Sequence, residues 1–410
     1  MNILFLTLLD FNSLDEHNIY ADLLREFTRH NHKVFVISPV ERRKKQSSHI
    51  IKTDNSVILK LKIGNTQKTN FVEKGISTLL IELLFSRGIK KYFSEEKIDF
   101  VMYSTPPVTF YRALAYVKKR DNAKTCLLLK DIFPQNAVDL GILVKTGIKG
   151  IIYRYFRNKE KKLYEISDCI GCMSPANRDY VIAHNPEVDC NKVKLLPNSI
   201  EVSTVDTTSE SKKVIRKKYG IPSDTTVFVY GGNLGKPQGI EFLIRCLKTQ
   251  GGKQEVFFLV IGEGTDYRKL EAYIRHDKPR NVKLMKSLPK EDYDQLVRSC
   301  DVGMIFLDNR FTIPNFPSRL LSYMEANIPV LAVTDINTDV GKVIITGRFG
   351  WWCRSNDERG FSDCVEEILN SNIKDMGING RKYLMDNYTV EHSYDMIMKT
   401  MKGQDLKEED

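Results

Sequence analysis

The feature of this sequence that most constrains its fold is the alternation of short apolar segments with longer amphipathic ones along almost the whole chain. In the first half, the predicted strands are runs rich in Ile, Leu, Val and Phe: 2–7, 33–38, 56–61, 99–104, 124–129, 168–173 and 192–197. Between them, apolar residues recur at the spacing of an amphipathic helix, near 18–30, 72–93, 107–119, 148–166 and 175–184. Such alternation predicts parallel sheets flanked by helices.

The alternation breaks once, at EVSTVDTTSESKK (201–213), which is polar, rich in Ser and Thr, and typical of a surface linker. A second α/β run follows it, and 410 residues exceed what one hydrophobic core usually serves. We therefore predict two Rossmann-like, doubly wound domains, 1–200 and 214–385, facing a central cleft. A final helix at about 386–402 is expected to pack back on the first domain. Open α/β sheets bind ligands at the carboxyl ends of their strands.

Composition narrows the class of protein without choosing a function. A net charge of +10 favours a polyanionic partner, which leaves nucleic acid, an anionic lipid surface and a phosphorylated substrate open. No apolar run approaches the roughly 20 residues needed to span a bilayer, and the amino terminus is predicted to be a strand rather than a signal peptide. Eight scattered cysteines, with one isolated C-x-x-C at Cys169 and Cys172, indicate reduced, packed thiols of a cytoplasmic protein rather than a metal site.

The first segment that suggests ligand chemistry is VFVYGGNLGKPQGIEFLI (227–244). A strand runs into Gly231, Gly232 and Gly235, with Pro237 near the start of the next helix. Glycines permit close approach of backbone amides to a phosphate at a helix start. The spacing is not G-x-G-x-x-G, which disfavours a dinucleotide-dependent dehydrogenase. An ordinary tight turn between strand and helix remains the alternative.

The next strand ends in a similar way, with Gly262, Glu263 and Gly264. Small residues at the carboxyl end of a strand would allow a flat base to lie against the backbone. The alternative is a simple turn, which explains the same three residues.

The segment IPNFPSRLLSYMEANIPVLA carries the stronger signal. Pro317 favours a helix start, with Ser318 and Arg319 in the first turn and Asn315 just before it. A positive helix end beside a guanidinium favours a diphosphate, because arginine binds phosphate oxygens through two parallel hydrogen bonds. The alternative is a solvated surface arginine.

Two places in the first half could contribute to the same chemistry. In the loop after the first strand, Asn12 or Asp15 is expected to cap the next helix, and His17 would lie in its first turn. His17 could act as a general base, or simply as a capping or surface histidine. In LLLKDIFPQNAVDLG, Asp131 follows a strand and is predicted to contact an acceptor, against the alternative of a structural turn.

Taken in order, DIFPQN, LPNSI, YGGNLGKPQG, IGEG and PSRLLSYMEANIPVLA resemble glycosyltransferase family 4 of the GT-B fold. The resemblance is to the bacterial WbuB-like branch of capsule and O-antigen assembly, and it covers nearly the whole chain. It implies a retaining, metal-independent transferase that needs no cofactor beyond a UDP-sugar donor. The resemblance further implies an N-acetylated amino sugar, a lipid-linked or saccharide acceptor, and a cytoplasmic enzyme at the inner face of the membrane.

Residue by residue, the resemblance assigns the donor site with some departures. The family's basic pair falls on Asn233 and Gln238, with Lys236 close by, and the branch's lysine is replaced by Arg319. Arg319 and Lys236 would then stabilise the diphosphate leaving group, since preorganised positive charge is often the largest catalytic contribution.

The family's two glutamates, eight positions apart, fall on Pro314 and Ser322, so that pair is absent. A carboxylate for the ribose must come from elsewhere, and the sequence offers Glu325, Asp335 and Asp339.

The stretch GIKGIIYRYFRNKEKKLY (147–164) interleaves basic and apolar residues, and ERRKK (41–45) adds cationic charge in the same domain. Such segments can lie on anionic lipid, although a solvated helix packed on its sheet explains them too. Three other function classes stay open: a GT-B nucleotide-sugar 2-epimerase, a non-catalytic nucleotide-sugar-binding subunit, and a nucleic-acid binder. The last rests on charge alone, with no recognition module, so no nucleic-acid partner is expected.

Overall fold

A computed structural model of the chain describes residues 1–66, 69, 71–148, 150–203 and 209–403. The chain forms two compact units, one from residues 1–201 together with 390 onward, the other from residues 202–389. Of the predicted linker, 204–208 lie outside the described residues, whereas 209–213 belong to a helix that begins at Ser209. That helix has Glu210 in its first turn and basic residues in its last, a charge order that complements the helix dipole.

The first unit is built on one eight-stranded sheet. Its strands are β1 (Asn2–Leu6), β2 (Lys33–Glu41), β3 (His49–Lys52), β4 (Ser56–Ile63), β5 (Phe100–Thr105), β6 (Lys124–Leu129), β7 (Cys169–Cys172) and β8 (Val193–Leu195). They lie in the order β3-β4-β2-β1-β5-β6-β7-β8, and β3 pairs antiparallel with β4 while the other pairs are parallel. The sequence did not predict β3, because this edge strand is short and half-exposed and has no continuous apolar run.

Helices connect these strands. They are α1 (Ile19–Arg29), α2 (Phe71–Tyr92), α3 (Tyr111–Asp121), α4 (Gln135–Asp139), α5 (Gly150–Ile166) and α6 (Pro175–His184). Helix α3 begins four residues later than predicted. Pro106 and Pro107 precede it, and a residue followed by proline is disfavoured in the helical conformation.

The second unit contains a six-stranded, fully parallel sheet. Its helices are α7 (Ser209–Lys218), α8 (Ile240–Thr249), α9 (Tyr267–Asp277), α10 (Lys290–Arg298), α11 (Arg319–Glu325), α12 (Val340–Thr346), α13 (Glu358–Leu369) and α14 (Ile373–Asn387). Its strands are β9 (Thr226–Asn233), β10 (Val256–Glu263), β11 (Val282–Met285), β12 (Val302–Phe306), β13 (Val330–Thr334) and β14 (Gly350–Arg354). Strand β14, which the sequence did not predict, lies at one edge.

The strand order of the second unit, β11-β10-β9-β12-β13-β14, reverses direction between β9 and β12. Parallel sheets bind ligands beside the carboxyl ends of the strands at such a switch point. The core on which these strands rest includes Phe228, Phe258 and Phe306, all buried. The loops after β9 and β12 are therefore the first place to look for a site.

The final helix, α15 (Val390–Met401), belongs to the first unit. Residues 386 and 387, where the sequence placed its start, end α14 instead. The ring of Tyr394 packs edge-on against Phe27 at 4.8 Å and stacks on His30 at 4.0 Å. No helix in the described part of the chain is long and apolar enough to cross a bilayer.

Candidate functional site

The environment of Arg319 has the character of a ligand site. Arg319 is the first residue of α11, and its Cζ lies 4.5 Å from the centroid of the Tyr230 ring. Within the described ranges no carboxylate pairs with this guanidinium, and its buried Nη1 has no hydrogen-bond partner. A buried charged donor without an acceptor costs free energy, about 1–3 kcal/mol or more. Such a group is available to an anion.

A second donor without an acceptor lies four residues earlier. The Nδ2 of Asn315 is buried and has no hydrogen-bond partner, while the backbone oxygen of Asn315 accepts a bond from Thr338 Oγ1. That bond attaches the loop after β12 to the loop after β13. Asn315 and Arg319 thus supply two unused N–H donors in one short segment, which suits a ligand rich in acceptor oxygens. Ser318, between them, is exposed and makes no capping bond.

Two glycines let the backbone of the β9 and β10 loops come close to each other and to Arg319. Gly232 has φ of +125°, and a Cβ there would lie 3.1 Å from Arg319 Nη2. Gly262 is its partner in the parallel register, and a Cβ on Gly262 would lie 1.8 Å from the Gly232 oxygen. A side chain at either position would force the loops apart.

The other predicted residues of the β10 loop shape the backbone. Glu263 is the exposed last residue of β10, and its oxygen accepts the N–H of Leu234 at 2.9 Å. A Cβ on Gly264 would lie 2.2 Å from the Leu234 oxygen. These contacts make the β9 and β10 loops one packed structure.

Asn233 and Gln238, the slots of the family's basic pair, bond to each other. Asn233 Nδ2 donates to Gln238 Oε1 at 2.8 Å, and the Gly235 N–H donates to the same oxygen at 3.3 Å. The pair therefore holds the shape of a short 3-10 turn over Lys236–Gln238. Helix α8 begins only after Gly239, so Pro237 belongs to this turn rather than to the helix.

Lys236 is exposed and lines a cavity of about 300 Å³. Phe242, Arg310 and Ser355 are also in the cavity wall. Arg319 is not among the residues that line it. The two cations that the sequence assigned to one diphosphate thus have different immediate surroundings.

The three carboxylates offered for the ribose differ in their surroundings. Asp335 is buried after β13, and its Oδ1 accepts the N–H groups of Asn337 and Thr338 at 2.8 and 3.1 Å, which stabilises a turn. Asp339 precedes α12 and makes no capping bond there.

Glu325 lies at the other end of α11 from Arg319, about 9 Å away along the helix axis at 1.5 Å per residue. Its Oε1 accepts the N–H of Ser203 at 2.9 Å. The structure therefore does not bring Glu325 together with Arg319, because the two are the last and first residues of the helix, six positions apart.

In the first unit, His17 is exposed, with 66% of its side chain accessible and its Nδ1 3.7 Å from Asp22 Oδ1. It lies outside α1, not in its first turn as predicted. The cap is Asn18, whose Oδ1 accepts the N–H groups of Tyr20 and Ala21 at 3.1 and 3.0 Å. Capping by Asn12 or Asp15 is therefore wrong, since helix φ and ψ begin only at Ile19.

Asp131 lies in the loop after β6, beside the carboxyl end of β5. Asn136 Nδ2 donates to both of its carboxylate oxygens at 2.7 Å, and Thr105 Oγ1 donates to its backbone oxygen at 3.3 Å. Burial raises the pKa of Asp131 to about 6 and lowers the pKa of the adjacent Lys130 to about 7. Neighbouring groups that titrate near neutral pH are common at functional sites. The Gln135 side chain instead donates to Asp139 at 2.6 Å.

Sequence reasoning missed the tyrosines around Arg319. Tyr230 and Tyr323 are fully buried, and Tyr293 lies close enough to Gly231 that a Cβ there would meet its ring. The Tyr323 hydroxyl donates to the Met304 oxygen at 3.1 Å and accepts the Gly231 N–H at 3.3 Å. In the sequence these residues are indistinguishable from ordinary core aromatics. The only signal was the position of Tyr230 immediately before the glycine pair.

Both halves of the chain match known protein families. Residues 18–204 match the family described as Glycosyltransferase Family 4, and residues 211–383 match Glycosyl transferases group 1. The probable glycosyltransferase WbjE of Pseudomonas aeruginosa is 25% identical over 334 residues, which is 80% of each chain. The putative colanic acid biosynthesis glycosyl transferase WcaI of Escherichia coli K12 is 20% identical over 254 residues, or 61% of each chain.

Among solved structures, Anabaena Alr3699/HepE in complex with UDP and glucose superposes with a TM-score of 0.71 at 14% identity, over 98% of this chain and 100% of that one. At this identity the likeness concerns the fold, which confirms the predicted GT-B class. The two family matches, which meet near residue 205, follow the same division into halves. On these matches the chain is a glycosyltransferase of the GT-B fold, in which residues 18–204 match family 4 and residues 211–383 match group 1.

Proposed function

We propose that this glycosyltransferase moves a sugar from a UDP-sugar to a lipid-linked or saccharide acceptor in the synthesis of a surface polysaccharide. The observation that carries the proposal is the pair of buried donors without acceptors, Asn315 Nδ2 and Arg319 Nη1, the second of them on a guanidinium beside the glycine loop at Gly232. A diphosphate supplies the oxygens that these donors lack.

The chemistry of sugar transfer fits this arrangement. As the glycosidic bond of the donor breaks, negative charge grows on the β-phosphate. A guanidinium already held in place would stabilise that charge without reorganising, which is the most effective form of electrostatic catalysis. Lys236 would add charge on the other side of the β9 loop, toward the cavity that it lines.

The choice of donor and pathway rests on the relatives and on the family resemblance. The HepE structure contains UDP and glucose, and WcaI is described as a colanic acid biosynthesis enzyme. The resemblance to the WbuB-like branch favours an N-acetylated amino sugar in capsule or O-antigen assembly.

We also propose that transfer retains the anomeric configuration and needs no metal. In this mechanism a leaving-group oxygen accepts the proton of the acceptor hydroxyl, so the protein need not supply a nucleophile. Arg319 would take the role that a divalent cation has in other transferases. Unchanged turnover in the presence of a chelator is the expected result, and loss of turnover that Mg²⁺ or Mn²⁺ restores would contradict it.

The acceptor is proposed to bind the first unit near Asp131. At neutral pH this carboxylate is ionised, since its pKa is raised only to about 6, and it could hold an acceptor hydroxyl. Exposed His17 has no comparable surroundings and would serve at most as a peripheral contact.

A lipid-linked acceptor implies contact with the inner face of the cytoplasmic membrane, and the first unit offers a suitable surface. Ile148 is 88% exposed and Ile151 56% exposed at the start of α5. Leu79 on α2 is also exposed, and the Lys159–Glu82 ion pair joins the two helices nearby. Apolar side chains flanked by bases suit an anionic bilayer. The 41–45 loop contributes less than the sequence suggested, because Arg42, Arg43 and Lys44 are all ion-paired.

This surface is tested by flotation with vesicles of 30% anionic lipid, a composition on the order of bacterial membranes. The double variant Ile148→Ser, Ile151→Ser should lose most vesicle binding. The control is Ile378→Ser, because Ile378 is similarly exposed, at 53%, on the second unit. Equal binding by both variants would remove the membrane surface from the proposal.

The function itself is tested by incubating the protein with a panel of UDP- and GDP-sugars, with and without polyprenyl-diphosphate saccharide acceptors. Product that forms only with an acceptor supports transfer. Isomerised donor without acceptor would indicate the epimerase. Binding of UDP-sugar without turnover would indicate a non-catalytic subunit.

A further inference from the structure

The guanidinium of Arg319 is supported by an aromatic ring. Its Cζ lies 4.5 Å from the ring centroid of Tyr230, a distance at which the negative face of the ring attracts the cation. A carboxylate in the same position would accept the N–H bonds that a diphosphate needs. A ring attracts the charge, and the Nη1 donor of Arg319 stays without a partner.

Tyr230 is itself fixed. It lies within β9, opposite Val260 of β10, and is fully buried. Its ring contacts the ring of Phe306, with centroids 6.3 Å apart, in an edge-on orientation. Its burial and the Phe306 contact fix the plane of the Tyr230 ring. The guanidinium of Arg319 can lie against that plane.

The same side chain also holds the glycine loop. The Tyr230 hydroxyl donates to the Asn233 oxygen at 2.7 Å, which closes the turn that contains Gly231 and Gly232. Gly232 is the residue whose Cβ would lie 3.1 Å from Arg319 Nη2. Tyr230 therefore fixes both the cation and the backbone beside it.

We propose that Tyr230 is a positioning residue of the donor site, which acts through Arg319 by holding its guanidinium in the orientation that binds the diphosphate. The inference rests on the proposed function and adds a residue to it.

The test measures UDP binding, by calorimetry for tight complexes and by ligand-observed NMR for weak ones. Tyr230→Leu removes the ring and should weaken UDP binding about tenfold. Tyr230→Phe keeps the ring but loses the hydroxyl that bonds the Asn233 oxygen, so it should weaken binding less, by about threefold. Should the leucine variant not fold, Tyr230→Met removes the ring with less change in side-chain length.

The matched control is Phe228→Leu. Phe228 is buried on the same strand two residues earlier, stacks on Phe258 at 5.0 Å, and belongs to the same core cluster as Tyr230. This variant loses comparable packing but should bind UDP within about twofold of the parent.

Repeating the Tyr230→Leu measurement in the Arg319→Gln variant distinguishes a positioning role of Tyr230 from general structural support. In Arg319→Gln, the loss caused by Tyr230→Leu should fall below about twofold, because the group through which Tyr230 acts is gone. A full loss in that background, or no loss in the parent, would overturn the inference. Failure of the parent protein to bind UDP would instead reject the proposed function.

Discussion

Two cations of this molecule, one in each unit, have opposite surroundings. Lys60, on β4, is 1% exposed, and its Nζ donates to Asp10, to the Phe11 oxygen at 2.8 Å and to Ser38 Oγ at 3.2 Å. Arg319 has a buried Nη1 with no partner and rests on the Tyr230 ring. We infer that Lys60, whose hydrogen-bond partners all come from the chain, stabilises the fold. We infer that Arg319, whose Nη1 has no partner, binds a ligand.

The largest expected effect concerns the satisfied cation. Lys60→Met should lower the free energy of unfolding by about 3 kcal/mol, since the partly buried Asp10 and the buried Phe11 and Ser38 oxygens would all lose the donor that Lys60 supplies. Urea unfolding checks this value. Burial opposes ionisation of Asp10, but Lys44 and Lys60 together lower its pKa, so Lys44 should limit the loss. Exposed Lys290→Met is a control, and an equal loss there would break the comparison.

Substitution of Arg319, the cation without a partner at Nη1, should affect turnover and leave stability nearly unchanged. Arg319→Ala is expected to reduce turnover roughly a hundredfold, as loss of one preorganised donor does, while leaving the unfolding midpoint nearly unchanged. Steady-state kinetics and thermal unfolding of the same preparation provide the check. Near-normal turnover would reject the diphosphate assignment. A large drop in stability would place Arg319 in the same class as Lys60.

Asn315 extends the comparison to a neutral side chain whose donor has no partner. Asn315→Ala should weaken UDP-sugar binding about tenfold without loss of stability, since its Nδ2 makes no bond in the free protein. The KM for the donor is the measurement. Loss of stability without a change in KM would show that the amide supports the loop only.

The last expected effect is a pH dependence in the first unit. Burial raises the pKa of Asp131 to about 6, above its unfolded value, so the native state keeps this proton longer than the unfolded chain. This contribution to stability is present at low pH and is lost as pH rises through about 6. Relative to Asp131→Asn, the parent should lose stability between about pH 4 and 6.5. Parallel stability curves for the two proteins would contradict the raised pKa.

Much of the fold followed from periodicity, because buried parallel strands have continuous apolar runs that amphipathic helices separate. The edge strands β3 and β14 escaped prediction because only one side of such a strand is paired, and Trp352 of β14 is 37% exposed. Helix starts were also uncertain, since several polar residues precede α1 and only Asn18 has the backbone geometry of a cap.

The candidate site was only partly predictable. Arg319 was identifiable because an arginine at a helix start opposes the helix dipole and so invites a ligand. Tyr230 was not, because a tyrosine in a strand has the pattern of any core residue until its neighbour in space is known. Glu325 stays a prediction for the ribose, and its place at the far end of α11 from Arg319 could not be read from sequence spacing alone.

The path of the chain at the unit boundary has a practical consequence. The second unit is inserted within the first, and the N–H of Val390 donates to the oxygen of Ile200 at 3.2 Å, so the departing and returning segments are neighbours. An insertion whose two attachment points touch can be exchanged as a cassette. Chimaeras in which residues 202–389 are replaced by the corresponding part of a relative would test whether sugar choice and acceptor choice lie in separate stretches of the gene.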